Sequence, residues 1–539
     1  MRGGATLKKK NVEKEIDFLL FRRACFSGWF IQLPMRIHET DHPLLYEINS
    51  RLWLREIGKK KKCVTLADIP ESELDDIARL NFDLVWMMGA WQTGGMGLSL
   101  ACQPALQQGY RQALPDLVAD DIIGSPYAVQ DYLVCDSLGG PEALSRFRSR
   151  LAQRGIGLIL DFVPNHTARD HPWLSSRPEL YVSGDEESMR REPLNFFFAD
   201  TIHGKRIIAH GRDPYFPGWL DTAQLNYRHP KTRAAMIETL ASIAGQCDGV
   251  RCDMSMLVLR DIFSRTWGER ANPSDGSAPA VGEFWAEAID AVRRSRPDFI
   301  FIAEAYWGLE AELQALGFDY TYDKTLYDRL LCHGAGPVRE HMNARLDLQV
   351  RSVRFLENHD EPRIAQLLPP ARHRAAALLC YASPGMRFFH EGQLDGRKVK
   401  IPVQLGRRPV ERLDRTVREF YEKLLSELGG TVLRRGRWKQ IEPRPAWEGN
   451  PSWQQFVIYR WEGDRRGARI AVANFGPNQA QCYAALDLNG LRGRRVALRD
   501  LLSGVAYECD GDSLRNPGLY LDMAPYQAHL FTLAPLPLR

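Results

Sequence analysis

The feature that most limits the fold of this chain is an alternation of short apolar runs with helical patterns, which continues until about residue 430. Such alternation is typical of a parallel sheet whose strands are joined by crossover helices. Leu144, Phe147 and Leu151 follow helical spacing and predict a helix over Pro141–Arg154. The eight predicted strands are Leu44–Ile48, Leu84–Met88, Leu158–Val163, two runs that end at Asp253 and at Glu304, Phe318–Tyr320, a run near Leu356, and Arg387–Phe389.

Two stretches depart from this alternation. Residues 167–230 are rich in Pro, Gly and aromatic residues and are too long for an ordinary loop, so we interpret them as an inserted subdomain. After about residue 430, apolar strands without helices are separated by Gly, Asn and Asp turns, which predicts an antiparallel β-sandwich. Its predicted strands are Phe456–Trp461, Ile470–Phe475, Cys482–Leu488, Val496–Leu501 and Leu519–Leu533.

Charge and cysteine usage argue against several classes of function. Lys plus Arg number 71 and Asp plus Glu 67, a surplus of 4 that indicates neither a nucleic-acid nor a membrane partner. An apolar stretch at 16–33 is broken by Arg22 and Arg23, so it predicts neither a signal peptide nor a membrane span. Ten scattered cysteines without metal-ligand spacing predict reduced thiols and a cytoplasmic protein.

Polar residues stand at the C-terminal ends of four predicted strands. In a barrel these ends converge on one mouth, where active sites are built. A single strand-end Asp is more often a helix cap or a turn residue, but four such segments in this order predict a catalytic site. The segments are Leu158-Ile159-Leu160-Asp161-Phe162-Val163-Pro164-Asn165-His166, Gly249-Val250-Arg251-Cys252-Asp253, Phe301-Ile302-Ala303-Glu304-Ala305 and Phe355-Leu356-Glu357-Asn358-His359-Asp360.

These segments resemble the signature regions of the α-amylase superfamily, glycoside hydrolase family 13. The stretch from Gly124 to Tyr132, the triplet Gln224-Leu225-Asn226 and the turn at Pro384-Gly385 resemble further family motifs. The resemblance implies a (β/α)8 TIM barrel over 35–166 and 231–428. It also implies a B domain at 167–230, inserted after strand three, and a C-terminal antiparallel β-sandwich at 429–539. Residues 1–34 are expected to be a disordered extension, with Met35 as a candidate native start.

The resemblance also implies a retaining hydrolase or transglycosylase that acts on α-glucosidic bonds of oligosaccharides. Retaining cleavage uses two carboxyl groups about 5 to 5.5 Å apart. Asp253 is the predicted nucleophile, Glu304 the general acid/base, and Asp360 a third catalytic carboxylate that binds and helps to distort the sugar ring. The predicted substrate-binding residues are Arg251, which would orient Asp253, together with His166, His359, Tyr127 and Arg363.

Several of these residues have plainer interpretations that the sequence leaves open. The plainer interpretation of Asp161 is a brace at the strand-three end, that of Arg363 a surface residue and that of His166 a structural histidine. Asn165 resembles a family calcium ligand, but the other expected ligands cannot be placed, so calcium is possible and no metal or cofactor is predicted. Three tryptophans could be either sugar-binding platforms or packing residues: Trp91, Trp219 and Trp307.

Two departures from the family pattern bear on the substrate. Met256 and Leu257 stand where starch-cleaving α-amylases usually carry a Lys and a His that contact the leaving side of the cut. Gly124 stands where exo-acting α-glucosidases commonly carry an Asp that pairs with the arginine matched by Arg363. These departures predict weak activity on polymeric starch and better activity on short oligosaccharides.

Two other functions remain open at this point. A glucosyl or maltosyl transferase or phosphorylase of the same superfamily would use the same carboxylates and differ in the acceptor. A non-catalytic relative that binds carbohydrate or a partner protein would lack one or more carboxylates, whereas Asp253, Glu304 and Asp360 are all present. A small α-glucan or oligosaccharide is the expected partner, and the oligomeric state is not predicted.

Overall fold

The computed structural model describes residues 42–61, 65–273, 275–463, 467–488 and 490–536, all within one compact unit that spans Met35–Arg539. The predicted disordered extension at 1–34 lies outside the described residues. Among those that are described, no helix is long and apolar enough to cross a membrane.

Eight parallel strands close into a barrel in which neighbours along the chain are also neighbours in the sheet. The predicted fold class is therefore confirmed. Parallel strands need crossover connections, and each connection here carries at least one helix. The strands are β1 (Leu44–Asn49), β2 (Leu84–Met88), β3 (Gly157–Phe162), β4 (Gly249–Cys252), β5 (Ile300–Ala303), β6 (Tyr320–Tyr322), β7 (Ser352–Arg354) and β8 (Met386–His390).

The helices form the outer layer around the barrel. The helix predicted over Pro141–Arg154 extends over Gly140–Ala152 and buries Leu144, Phe147 and Leu151 as its spacing predicts. The main helices, in chain order, are Ser50–Lys61, Glu71–Arg79, Gly95–Ala101, Pro104–Ala113, Gly140–Ala152, Pro230–Gln246, Arg260–Trp267, Phe284–Arg293, Glu310–Ala315, Lys324–Cys332, Ala335–Met342, Pro370–Tyr381 and Arg415–Gly430.

Two barrel strands differ from their predicted positions. The strand predicted at Phe318–Tyr320 begins at Tyr320, because Phe318 packs outward against Trp285, with ring centroids 4.7 Å apart. The Asp319 side chain accepts the backbone N–H of Phe301 at 2.7 Å, a bond that a backbone oxygen makes within a ladder. The strand predicted near Leu356 covers Ser352–Arg354 instead, and Leu356 lies in a bend beyond it. In both cases the run of buried apolar residues is longer than the stretch that pairs with neighbouring strands.

The segment between β3 and the helix Pro230–Gln246 contains two small antiparallel ladders. One pairs His166–Ala168 with Thr222–Gln224, and the other pairs Phe196–Thr201 with Gly204–Ala209. The first ladder joins the entry and the exit of the insertion directly beside the end of β3. The inserted residues are thereby fixed at the mouth of the barrel.

The C-terminal region forms two antiparallel sheets. The strand predicted over Leu519–Leu533 is in fact two strands, Leu519–Met523 and Ala528–Pro535, which belong to different sheets. A turn with Pro525 and a left-handed Tyr526 (φ 54°) separates them. The larger sheet contains Arg437–Ile441, Phe456–Gly463, Gly467–Asn474, Ala528–Pro535, Arg495–Asp500 and Ala506–Asp510; the smaller contains Arg444–Pro445, Ala480–Ala484 and Leu519–Met523.

Candidate active site

The polar side chains at the barrel mouth occupy inward-facing positions of their strands. Side chains along a strand alternate between its two faces. On β4, Val250 and Cys252 pack outward in the main core, so Arg251 and Asp253 face inward. Ile302 of β5 lies in the apolar cluster inside the barrel, and Glu304 follows it on the same face. The two-residue period thus brings the predicted reacting groups to one opening.

Arg251 connects the two predicted reacting carboxylates. Its Nη1 lies 2.7 Å from Asp253 Oδ1, and its Nη2 lies 2.8 Å from Glu304 Oε2. The guanidinium is buried, and its carbon lies 5.1 Å from the centre of the Trp86 ring and 5.5 Å from that of Tyr127. One planar cation contacts both carboxylates, so Asp253 and Glu304 lie on the same side of the mouth.

The Glu304 carboxyl is held by two further donors. Oε2 accepts the backbone N–H of Met254 at 2.6 Å, and Oε1 accepts the Tyr306 hydroxyl at 2.9 Å. Met254 has a φ of 40°, a left-handed conformation that is uncommon outside glycine. This turn directly after Asp253 aims an N–H at Glu304, so the two carboxylates are oriented by the same short segment.

Burial raises the pKa of both predicted reacting carboxyls. Desolvation raises the pKa of Glu304 to about 7, although Arg251 opposes the shift. Desolvation also raises the pKa of Asp253, while its ion pair with Arg251 favours the charged form. A carboxyl that titrates near pH 7 can donate a proton under working conditions, and a carboxylate paired with arginine can remain a nucleophile.

Asp360, His359 and Tyr127 form a second group at the mouth. His359 Nε2 lies 2.7 Å from the Tyr127 hydroxyl and 3.0 Å from Asp360 Oδ2. The Tyr127 and His359 rings are stacked, with centroids 5.4 Å apart. Desolvation alone would raise the pKa of Asp360, but the adjacent His359 lowers it well below its usual range. The Asp360 side chain is 51% exposed, so this ionised carboxylate opens to solvent.

His166 presents a free nitrogen at the end of β3. Its Nε2 is buried and has no hydrogen-bond partner among the described residues. Burial lowers the pKa of His166 to about 4, so the ring is neutral at working pH. The Trp219 ring packs against it, with centroids 5.2 Å apart. A neutral imidazole whose Nδ1 is paired with Asn165 and whose Nε2 has no partner among these residues fits a group that hydrogen-bonds a ligand.

Asp161 and Trp91 brace the end of β3. Asp161 Oδ2 accepts the N–H of Gly89 at 3.2 Å, and its backbone oxygen accepts Trp91 Nε1 at 2.7 Å. Desolvation raises the pKa of Asp161 to about 7. Trp91 is fully packed and does not form a platform at the mouth.

Arg363 is not brought to the mouth. Its buried guanidinium lies 2.7 Å from Glu357 Oε1 and 3.0 Å from His390 Nδ1, and it also donates to the backbone oxygen of Glu391. With these partners Arg363 holds the β7 loop to the end of β8. The interpretation of Arg363 as a surface residue is wrong, because the side chain is buried; its role in substrate binding stays a prediction.

The departures at Met256, Leu257 and Gly124 have structural causes. Met256 and Leu257 are buried in the main apolar core, so neither forms an apolar face of the cleft. Gly124 has a φ of 77°, and a Cβ there would approach the backbone of Leu98 to 3.2 Å. Gly124 is therefore required by its own turn.

Two residues of the site were missed by sequence reasoning. Tyr306 follows Glu304 by two residues and hydrogen-bonds its carboxyl, a spacing that β-strand periodicity could have indicated. Glu47 is the single carboxylate within the buried β1 run, and its Oε1 contacts His359 Nδ1. A charged residue inside a wholly buried strand was the available signal.

Asn165 does not present a free oxygen to calcium. Its Oδ1 accepts the amide of Gln224 at 3.0 Å, and the same nitrogen lies 2.8 Å from Asn165 O and 3.0 Å from Leu225 O. Within the described ranges no cluster of three His, Cys, Asp or Glu side chains could hold a metal. Because calcium takes about six to eight oxygen ligands, the residues present do not fit the ion that the resemblance suggests.

Two exposed aromatic rings meet where the loop after Glu304 contacts the insertion. Trp307, three residues after Glu304, is 42% exposed, and Tyr215 from the insertion is 69% exposed. The two rings touch edge to face with centroids 5.2 Å apart. Asp213 Oδ1 fixes the Tyr215 loop by accepting its N–H at 2.6 Å and that of Phe216 at 3.0 Å. Trp307 of the loop after β5 and Tyr215 of the insertion thus form one exposed aromatic surface.

Comparison with known proteins agrees with this geometry. A family model described as the alpha-amylase catalytic domain matches residues 119–327, which include the strand ends that carry Asp161, Asp253 and Glu304. The α-amylase MalA of Haloarcula japonica is 25% identical over 325 residues, which are 58% of this chain and 42% of that protein. Trehalose synthase of Pimelobacter sp. is 29% identical over 206 residues, 36% of this chain and 34% of that protein. The chain thus matches less than half the length of these relatives.

Solved structures show the same fold over nearly the whole chain. A noncanonic maltogenic α-amylase, AmyB, from Thermotoga neapolitana aligns with a TM-score of 0.65 at 18% identity, covering 92% of this chain and 99% of that one. An Anoxybacillus α-amylase aligns with a TM-score of 0.62 at 17% identity, covering 94% and 100%. At these identities the likeness concerns the fold alone.

Proposed function

We propose that this chain is a glycoside hydrolase of the α-amylase superfamily and that it cleaves α-glucosidic bonds of short oligosaccharides with retention of configuration. The observation that carries the proposal is the buried Arg251 guanidinium, which contacts Asp253 and Glu304 at 2.7 and 2.8 Å. It supports a nucleophile and an acid/base that lie close enough to flank one glycosidic bond.

In the first step, a carboxylate oxygen of Asp253 attacks the anomeric carbon. The bond to the leaving sugar breaks, its electron pair stays on the glycosidic oxygen, and that oxygen takes the proton of Glu304. In the second step, water gives a proton to Glu304 and attacks the same carbon, which breaks the ester to Asp253. His166 and Asp360 would hold hydroxyls of the reacting sugar, and Tyr127 would support its apolar face.

The side chains around the barrel mouth favour the binding of short substrates over that of a polymer. Met256 and Leu257 are buried, so they supply no hydrogen-bond donors to the leaving sugar. The exposed Trp307 and Tyr215 rings offer stacking surface at that side instead. An aromatic ring stacks on different sugars without requiring fixed hydrogen bonds. Such a surface favours the binding of one or two sugar units over that of a long chain.

The proposal is tested by comparing kcat/KM for soluble starch and for maltotriose through maltohexaose, per reducing end formed. We expect higher values for the short substrates and weak activity on starch. Maltose, trehalose, isomaltose and sucrose, with products resolved, identify the linkage. A clear preference for starch with random internal cleavage would contradict the proposal, because other loops would then bind the chain.

A second candidate is a glucosyl or maltosyl transferase of the same family. The exposed Tyr215 and Trp307 pair favours it, since an apolar edge can hold a sugar that resolves the ester on Asp253 in place of water. Product analysis with and without an added acceptor sugar, and with and without phosphate, separates transfer, phosphorolysis and hydrolysis.

A cytoplasmic location is proposed from the cysteines. The eight cysteines of the described residues are all free thiols, and four of them are buried. Free thiols in such number are typical of a reducing compartment.

A further inference from the structure

The reaction does not use one carboxylate that lies behind the mouth. Glu47 of β1 faces the barrel interior, its side chain is 0% exposed, and its Oε1 contacts His359 Nδ1. A buried carboxylate costs several kcal/mol unless a cation accompanies it, so Glu47 needs a positive partner.

The other nitrogen of His359 also faces oxygen. Nε2 lies 3.0 Å from Asp360 Oδ2 and 2.7 Å from the Tyr127 hydroxyl. A neutral imidazole has one N–H and one lone pair, so it would turn the lone pair towards a carboxylate on one side. A neutral ring that donates to Glu47 through Nδ1 can only accept the Tyr127 hydroxyl at Nε2, which leaves its lone pair facing Asp360 at 3.0 Å. A charged ring donates to both carboxylates, and Tyr127 then accepts or turns away.

We propose that Glu47 is a positioning residue that holds His359 as an imidazolium cation, which in turn fixes the ionised Asp360 at the mouth. The inference rests on the proposed function, in which Asp360 binds the reacting sugar. Glu47 touches no substrate atom in this account and acts through His359.

The other buried charges nearby already have partners. Glu357 lies 2.7 Å from Arg363, and Arg363 also approaches His390 Nδ1 at 3.0 Å. Burial and Arg363 lower the pKa of His390 well below its usual value, so His390 is neutral. Its Nε2 lies 3.8 Å from Glu47 Oε2, too far for a strong bond. His359 is therefore the cation that matches Glu47.

The charges around His359 agree with this assignment. Burial opposes a charged ring, but the carboxylates of Asp360 and Glu47 outweigh it and raise the pKa of His359 well above its usual value. Arg251 lies on the same side and is paired with Asp253. The titratable groups that face the ring from the surrounding elements are Glu47, Tyr127, Asp161, Asp253, Asp360 and His390.

Nitrogen-15 NMR of the full-length protein with labelled histidine tests the charge directly. The His359 signals are assigned by their loss in His359→Asn. We expect both ring nitrogens to carry hydrogen from pH 5.5 to pH 8. A neutral ring at pH 7, or titration near the ordinary value of about 6.5, would overturn the proposal. This readout does not depend on any enzymatic activity.

Glu47→Gln tests the effect on the reaction. The amide keeps the size and an oxygen that can accept from Nδ1, but it removes the charge. The pKa of His359 should then fall towards about 6.5, so the ratio of variant to wild-type kcat/KM on an aryl α-glucoside should drop at least tenfold between pH 5.5 and pH 8.

Glu357→Gln is the matched control, because Glu357 is equally buried but bonds Arg363 rather than His359. Its ratio to the wild type should stay constant with pH. A pH-independent loss in Glu47→Gln as well would show a merely structural role and overturn the proposal. If the wild type cleaves no α-glucoside, the proposed function fails, whereas the NMR measurement still decides the charge of His359.

Discussion

At the scale of single residues, Arg251 links the two predicted reacting carboxylates, because its buried guanidinium contacts both Asp253 and Glu304. The sequence predicts these carboxylates because charged residues at strand ends are conspicuous after apolar runs. It does not reveal Glu47 as easily, since the role of Glu47 depends on His359, which is 312 positions away in the chain. Contacts of that separation follow from the closure of the barrel and not from any local pattern.

The proton on Glu304 gives a prediction about pH. Because burial raises the pKa of Glu304 to about 7, the acid form is present below that pH and is lost as pH rises through it. We expect kcat/KM for oligosaccharides to fall above about pH 7, because their sugar leaving groups need a proton. Glu304→Gln should be slow on these substrates. On α-glucosyl fluoride, the first step of the variant should be much less impaired, and its rate should not fall above pH 7. Equal losses on both substrates would remove Glu304 from this role.

At the scale of elements, the junction of β3 with the insertion is held by an amide. The Gln224 nitrogen approaches two oxygens of Asn165 and one of Leu225 within 3.0 Å. The sequence singles out the triplet Gln224-Leu225-Asn226, but it does not show that three oxygens surround the side-chain nitrogen of Gln224. It likewise places Met256 and Leu257 correctly after β4 without showing that the chain turns them into the core.

This junction predicts stability without calcium. EDTA should leave the Tm of the wild type unchanged, and added calcium should not raise it. Gln224→Ala should lower the free energy of unfolding by about 2 kcal/mol, because buried acceptors lose their donor. Gln224→Glu should be unstable in EDTA and recover with calcium, since a carboxylate among these oxygens requires a cation. A rise in wild-type Tm with calcium would contradict the account.

At the scale of the whole molecule, the larger C-terminal sheet shares an apolar core with the helices that surround the barrel. Val457, Tyr459 and Trp461 of the larger sheet belong to the same apolar cluster as the barrel helices. Trp461 is fully buried and donates its indole N–H to the backbone oxygen of Ala382 at 2.7 Å. The alternation of the sequence predicts both architectures, whereas their shared core depends on side chains that meet only after folding.

Trp461→Ala should therefore destabilise the barrel as well as the sandwich. Removing a buried tryptophan costs about 3 to 5 kcal/mol, so we expect a clearly lower Tm with a single transition by calorimetry and by loss of activity. Trp447→Ala is the control, because Trp447 is 56% exposed and its removal should change stability little. Two separate transitions in the Trp461 variant would show that the domains unfold independently.

The central claim is that Asp253 forms a covalent ester with the sugar, and trapping that ester tests it most directly. A 5-fluoro-α-glucosyl fluoride slows both steps but keeps a good leaving group, so the intermediate should accumulate. Intact-mass spectrometry should show the addition of one fluoroglucosyl unit, and peptide mapping should locate it on Asp253. Asp253→Asn should gain no mass. Turnover of natural substrates to products of inverted configuration, or a label on another residue, would contradict the account.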